Sequence, residues 1–182
     1  MRSFLQKAGG NCMENKYLDF LYSRRSTRQY TDEMPTDEQL ENIFKAACRA
    51  PSAHALYPCH FILIKNKQTF AEITKFHNRA KALESAPMAI IVCSDSELSP
   101  FGWMADGCAA TMNILYAAEA QGLAACWHGM YPREQRVEEV QKLLGIPKHM
   151  IPCSMITLGY GQFKKKPQER FDQSCLHLEG KW

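Results

Sequence analysis

The sequence lacks most of the motifs that would assign it to a functional class directly. No apolar run reaches the length of a membrane span, and the first residues contain no apolar stretch of the signal-peptide type. There is no CxxC pair, no HExxH, no Walker loop and no GxGxxG. These absences remove support for a zinc site, for zinc-dependent hydrolysis and for a dinucleotide site of the Rossmann type.

An excess of charge of one sign is also missing. The 22 basic and 19 acidic residues leave a net charge of +3 over 182 residues. That surplus is too small to indicate a nucleic-acid or membrane partner, so any functional basicity must be local. The length suits one domain with a core of its own, which we expect over residues 14–182, with residues 1–13 as an N-terminal extension.

Cysteine is plentiful, but its spacing indicates neither a metal site nor a disulfide framework. Most of the eight cysteines lie inside apolar runs. Buried, reduced thiols in a cytoplasmic protein explain this distribution best. The cysteines stand at positions 12, 48, 59, 93, 108, 126, 153 and 175.

Hydrophobic periodicity predicts alternating helices and strands. We expect helices over 14–23, from a capping box at Thr36 to Pro51, and over 67–85, 103–121 and 133–144. We expect strands over 59–65, 88–93, 123–128 and 150–160, with a turn at Gly129. The strand over 88–93 is apolar on both faces, which is typical of a central strand.

The most informative stretch is Arg24-Arg25-Ser26-Thr27-Arg28, hereafter the arginine segment. The β-branched Thr27 disfavours a helix, so we interpret the segment as extended, with Arg24, Ser26 and Arg28 on one face. Two guanidinium groups with a hydroxyl between them suit a phosphate or a planar polar ligand. A solvated basic surface is the alternative.

A second stretch, residues 50–58, is a loop between Pro51 and Pro58 that leads into a strand, hereafter the proline loop. A loop fixed by prolines can present backbone groups to a ligand, although it can equally be a plain connection. Further along, Gly129 would let the main chain approach a planar ligand closely. His128 is a possible proton donor, but a lone histidine is more often structural.

Several separated motifs, in order, resemble the FMN-dependent nitroreductase family. The arginine segment is similar to its Arg-x-Ser-x-Arg/Lys motif, the proline loop to Pro-Ser-x-x-Asn-x-Gln-Pro-Trp, and Gly122 to Trp127 to Gly-Leu-x-x-x-Trp. Gly159-Tyr160-Gly161 resembles a Gly-Tyr-Pro strand end, and the tail resembles that of a short bacterial and clostridial-type subgroup. In the proline loop, the family's Asn, Gln and Trp are replaced by Ala55, Tyr57 and Cys59.

The resemblance implies an α+β fold, an α-β-α sandwich around a mixed, mainly antiparallel sheet, in an intertwined homodimer with two flavins at its interface. It implies FMN as cofactor, NADH or NADPH as donor, a small nitroaromatic, quinone or related acceptor, ping-pong turnover and no catalytic side chain. A flavin-binding sensor or storage protein without turnover is the alternative, and a nucleic-acid binder is a weaker one. The implied cofactor contacts are Arg24, Arg25, Ser26, Arg28, Pro51, Ser52, Ala53, Ala55, Trp127, His128, Gly129, Lys166 and Arg170.

Overall fold

The structure is a computed structural model that describes residues 15–163, 166–177 and 180. The expected extension over residues 1–13 lies outside this range. The chain divides into two compact units, residues 24–165 and the two terminal segments, 1–23 and 166–182. The prediction of one domain over 14–182 stays a prediction.

The described part of the larger unit, residues 24–163, contains four α-helices and four strands. The helices are α2 (Asp37–Ala47), α3 (Lys67–Phe76), α4 (Trp103–Ala120) and α5 (Glu134–Leu144), and the strands are β1 (Cys59–Ile64), β2 (Met88–Asp95), β3 (Ala124–Gly129) and β4 (Met150–Gly159). The predicted capping box is present: the Thr36 amide donates to Gln39 Oε1 over 2.9 Å, and the Gln39 amide donates to Thr36 Oγ1 over 3.2 Å.

The strands form one sheet in the order β1-β2-β4-β3, and every neighbouring pair is antiparallel. The parallel component of the expected mixed sheet is confined, in the described chain, to an isolated bridge between Ser26 and Ala125. The prediction that residues 88–93 form a central strand is confirmed, because β2 pairs with both β1 and β4.

Each face of the sheet carries its own hydrophobic core, which confirms the sandwich. Alternate residues of β2 supply the two cores, because successive strand side chains point to opposite faces. Met88, Ile90 and Val92 join residues of α2 and α4 in one core. Ala89, Ile91 and Cys93 join residues of α3 and α5 in the other.

Three details differ from the sequence prediction. The helix expected over 67–85 ends at Phe76 and is followed by a separate 3₁₀ turn at Lys81–Glu84, because His77 adopts φ −122° and ψ 73°. Leu143, whose spacing from Val137 and Val140 predicts an inward position in α5, is 37% exposed. Gly129, expected in a turn, is the last residue of β3.

The terminal unit contains α1 (Lys16–Ser23), close to the helix expected over 14–23. Asn15 Oδ1 accepts from the Tyr17 amide over 3.1 Å and helps to begin the helix. Its apolar stripe is exposed: Tyr17 by 69%, Leu18 and Leu21 each by 43%, and Tyr22 by 64%. In the described residues, none of these four side chains is buried.

Two further observations concern the described residues as a whole. None of the described helices is both long enough and apolar enough to cross a membrane. The seven described cysteines form no disulfide; three are buried, two are half-buried and two are exposed. Burial raises the pKa of the Cys93 thiol to about 12, so this thiol stays protonated.

Candidate active site

The arginine segment lies beside the start of β3 and the end of β4. The Thr27 amide donates to the Ala125 carbonyl over 3.2 Å, and Tyr30 forms an antiparallel bridge with Gly161. These pairings confirm the non-helical interpretation. Arg24, Arg25 and Ser26 are half-buried and Arg28 is exposed, while Thr27 on the opposite side is buried.

A buried chain of hydrogen bonds supports this segment from below. The hydroxyl of Tyr30 lies 2.7 Å from the Thr27 carbonyl and 2.8 Å from Thr157 Oγ1, and His128 Nε2 lies 3.1 Å from the same Thr157 oxygen. A tyrosine hydroxyl has one proton, which its shortest contact assigns to Thr27. The Thr157 hydroxyl thus bridges Tyr30 and His128, and the direction of its bond to His128 depends on the tautomer of the ring. The arginine segment is thus tied to both β4 and β3.

Arg28 opens onto a cavity of about 450 Å³ whose lining includes two further cations, Arg79 and Lys81, and one carboxylate, Glu84. Such a lining carries a surplus of positive charge. Guanidinium and ammonium groups are the usual protein ligands of phosphate and of electron-rich carbonyl edges. The cavity therefore suits an anionic, polar part of a ligand.

The proline loop has a different construction. His54, Ala55 and Tyr57 have positive φ values of 53°, 56° and 50°, a region that residues other than glycine rarely adopt. A buried carboxylate, Asp106 of α4, holds the loop in this conformation. It accepts from Ser52 Oγ over 3.0 Å and from the Ala53 amide over 2.9 Å.

The same loop approaches α4 closely and borders a second cavity. A Cβ atom on Gly102 would lie 2.5 Å from the Cβ atom of Ala53, so the close approach requires glycine. The cavity, of about 300 Å³, is lined by Pro51, Ser52, Asp106 and mostly apolar neighbours. It contains no cation, unlike the cavity beside Arg28.

The two candidate segments lie at opposite corners of the sheet. The proline loop leads into Cys59 of β1, which pairs with Ser94 of β2 at the edge of the sheet where β4 begins. Ser26 pairs with Ala125 of β3, which in turn pairs with Leu158 near the end of β4. At about 3.4 Å per residue and 4.8 Å per strand, the two segments are separated by roughly 24 Å along the sheet and roughly 19 Å across it. One chain does not bring them to the same small ligand.

The third predicted segment, residues 127–129, forms the second half of β3 and runs away from the arginine segment. Trp127 is half-buried and packs against the core beneath α2 and α4, whereas His128 points to the other face. Since their side chains lie on opposite faces, they do not contact the same side of a ligand. Gly129 is exposed, and a Cβ atom added there would meet nothing within 4 Å. The chain's own packing gives no reason for a glycine at this position.

Burial governs the protonation of the histidines near this segment. It lowers the pKa of His128 to about 4, with His77 and Arg28 adding repulsion, so the ring is neutral near pH 7. His77 lies edge-on to His128, with ring centroids 6.0 Å apart. Neither nitrogen of His77 has a hydrogen-bond partner among the described residues, and burial also lowers its pKa. His128 is therefore placed to hold Thr157 rather than to donate protons to a surface ligand.

The two predicted tail residues, Lys166 and Arg170, lie in the terminal unit and are both exposed. Their contribution to the site stays a prediction. In the described part of the chain, the structure thus groups Arg24, Arg25, Ser26 and Arg28 with the β3 residues. It sets Pro51, Ser52, Ala53 and Ala55 apart from them.

Several residues that shape the site were missed by sequence reasoning. Asp106 had a signal, because it is one of only two charged residues in the apolar stretch 103–121. Arg79 and Lys81 had none, since the sequence pattern assigned them to a continuous helix. The roles of Tyr30 and Thr157 depend on contacts between residues 127 positions apart.

Comparisons with known proteins agree on one family. A model described as the nitroreductase family matches residues 21–77 and 71–160. A relative from Methanothermobacter thermautotrophicus, provisionally named NADH dehydrogenase/NAD(P)H nitroreductase, is 40% identical over 175 residues, which are 95% of this chain and 91% of the relative.

Solved structures give the same result. A protein of the same provisional name from Parabacteroides distasonis superposes with a TM-score of 0.89 at 32% identity, covering 92% of this chain and 99% of the other. An FMN-dependent nitroreductase from Clostridium difficile superposes with a TM-score of 0.84 at 27% identity, covering 90% and 99%.

Proposed function

Because the chain belongs to the nitroreductase family, we propose that it is an NAD(P)H-dependent oxidoreductase that carries FMN at the arginine segment. The observation that carries the proposal is the cavity in which Arg28 is joined by Arg79 and Lys81 against a single carboxylate. The Clostridium difficile relative, which is FMN-dependent by name, supports the choice of cofactor.

The residues present fit an FMN molecule on chemical grounds. A phosphate monoester carries a charge of about −1.5 to −2, and each charge-assisted hydrogen bond contributes about 1.5–3 kcal/mol. Arg24 and Arg28, with Lys166 and Arg170 from the tail, would supply these bonds. The free space beside the exposed Gly129 leaves room for the flavin ring to approach the main chain.

Bound FMN would supply the hydride chemistry, taking hydride from the nicotinamide and passing electrons to a small acceptor in ping-pong fashion. The protein's part is to bind and orient. The chain from Tyr30 through Thr157 to His128 keeps the arginine segment in register with β3. A nitroaromatic, a quinone or a related small molecule is the proposed acceptor, and the cytoplasm is the proposed location.

We propose further that two copies form a homodimer and that each active site uses both. The separation of the proline loop from the arginine segment within one chain supports this arrangement, since a partner's loop can approach where the chain's own loop does not. Exposed apolar residues in α1 and the half-buried surface of α4, such as Met112 and Tyr116, offer area for the contact.

Anaerobic titration of the purified protein tests the proposal. The protein should be yellow, should bleach with NADH or NADPH, and should recolour with a nitroaromatic or a quinone. A yellow protein that neither nicotinamide bleaches would support the non-catalytic flavin-binding alternative. A colourless protein without affinity for FMN would contradict both.

A further inference from the structure

A second group of cations lies outside the arginine segment. Arg79 follows α3, Arg133 directly precedes α5, and Arg136 lies in the first turn of α5. Arg133 and Arg79 both lie close enough to Arg136 to repel it: after burial, their charges are the causes that lower the pKa of Arg136. Like charges held together in this way cost free energy unless an anion is bound.

No ion pair within the described residues neutralises this group. The ion pairs among the described residues are Lys45–Glu41 and Lys75–Glu72, and neither involves these three arginines. Arg133 and Arg136 instead line a cavity of about 520 Å³, together with Lys75, Asn78 and a single carboxylate, Glu134. An open cavity with surplus positive charge attracts and concentrates anions.

The position of Arg136 indicates which anion belongs there. Its Nη1 atom donates to the Gly129 carbonyl over 3.0 Å, so the cavity begins beside the residue that we expect to lie against the flavin ring. Arg79 lines the cavity that contains Arg28 and acts electrostatically on Arg136, which places it between the arginine segment and the cavity of Arg133 and Arg136. A ligand with phosphate groups in this cavity can therefore extend past Gly129 and reach the flavin.

We propose that Arg79, Arg133 and Arg136 bind the phosphate groups of the nicotinamide donor and make the enzyme prefer NADPH to NADH. This inference rests on the proposed function. NADPH differs from NADH by a 2′-phosphate, and a nearby arginine is the usual means of accommodating it. Arg133 and Arg136 line the same cavity, so their guanidinium groups can contact neighbouring phosphate oxygens.

The decisive variant is Arg133→Gln. Arg133 is exposed and makes no side-chain hydrogen bond to a described residue, so the fold should not change. Anaerobic stopped-flow reduction of the FMN-loaded protein should show wild type preferring NADPH at least tenfold in kcat/KM. The variant should lose about tenfold with NADPH, chiefly through KM, and should lose less with NADH, which lacks the 2′-phosphate, so that the NADPH/NADH ratio falls.

Lys142→Gln, an exposed cation in the last turn of the same helix, is the matched control and should retain the wild-type preference. Arg79→Gln should lower the NADPH/NADH ratio in the same direction, and its FMN content is measured first because Arg79 also lines the cavity beside Arg28. Arg136→Gln is less informative because Arg136 also holds Gly129. If wild type used both donors equally well, or if Arg133→Gln and Arg79→Gln left the NADPH/NADH ratio within twofold of wild type, the inference would be wrong.

Calorimetry separates this inference from the proposed function. Adenosine 2′,5′-bisphosphate should bind wild type at least tenfold more tightly than 5′-AMP, and Arg133→Gln should abolish the difference. This measurement requires no turnover, so it applies even if neither nicotinamide bleaches the protein. Equal binding of the two nucleotides by wild type would overturn the inference while leaving the flavin proposal intact.

Discussion

The arginine segment and the proline loop both belong to the candidate site, but they are held in opposite ways. The arginine segment has no residue with positive φ, its charges face outward, and its support is a neutral buried chain through Tyr30. The proline loop has three strained residues, each costing about 1–3 kcal/mol, and its support is the buried charge of Asp106.

This difference indicates a division of roles. The arginine segment presents cations for binding, and its neutral scaffold adds no charge that would compete for them. The proline loop has no cation in its cavity and fixes an unusual backbone shape. Such strain persists only where the surrounding structure determines it, and it is common where a backbone must meet a ligand. The following predictions test this division.

The largest effect should come from removing the charges of the arginine segment. Arg24→Ala and Arg28→Ala should each weaken FMN binding about 10- to 150-fold, since each loses a charge-assisted bond of about 1.5–3 kcal/mol. Fluorescence titration of apoprotein with FMN measures the loss. The exposed Lys148→Ala should bind FMN as wild type does, and full occupancy in both arginine variants would refute the phosphate assignment.

Asp106→Ala should act on the proline loop and on stability together. It leaves the Ser52 hydroxyl and the Ala53 amide without their buried acceptor, which should lower the free energy of unfolding by about 2–4 kcal/mol. Asp106→Asn keeps one oxygen acceptor and should lose less. Denaturant melts of the three proteins provide the comparison. If Asp106→Ala were as stable as wild type, strain in the loop would need another source of support.

The arginine segment should respond to acid through His128. The pKa of His128 is about 4 in the folded state against an ordinary value of 6.5, so the folded state resists protonation of this ring. Stability is therefore complete above pH 6.5 and should fall by up to about 3 kcal/mol as the pH decreases towards 4.

Two variants sharpen this test. His128→Gln removes the titration and can still donate to Thr157, so its unfolding free energy should depend less on pH than that of wild type. His128→Asn is too short to reach Thr157 and should bind FMN more weakly than the Gln variant. Denaturant melts at pH 7, 6, 5 and 4 measure the slopes. Identical slopes for wild type and His128→Gln would assign the acid response to other groups.

A side chain at Gly129 should separate binding from folding. Gly129→Val introduces a Cβ atom into open space in the chain, so the melting temperature should stay within error of wild type. Its side chain would occupy the approach to the flavin ring and should lower kcat/KM about 10- to 100-fold. Gly129→Ala should lose less. Wild-type turnover in the Val variant would place the ring elsewhere.

Sequence patterns predicted the helices and strands because most of them follow from local periodicity and from caps such as the Thr36 box. They failed at residues 77–80, where the apolar spacing continues although the helix stops. There the burial of His77, a tertiary contact, overrides local propensity. No glycine or proline marks the change.

The candidate site was only partly predictable for a related reason. Arg28 could be recognised from its own neighbours in the sequence, whereas the carboxylate that holds Ser52 comes from a helix 54 residues later. The distance between the two segments depends on strand order, which no local pattern contains. The identity of the cofactor came from the family resemblance and not from residue spacing.

The wide separation of the two segments has a consequence for mixtures of damaged subunits. If each pocket consists of one segment from each copy, a chain substituted only at Arg28 and a chain substituted only at Asp106 have complementary defects. Subunit exchange between two inactive preparations would then create hybrids with one intact pocket and one doubly damaged pocket. Partial recovery of turnover on mixing would thus report shared construction.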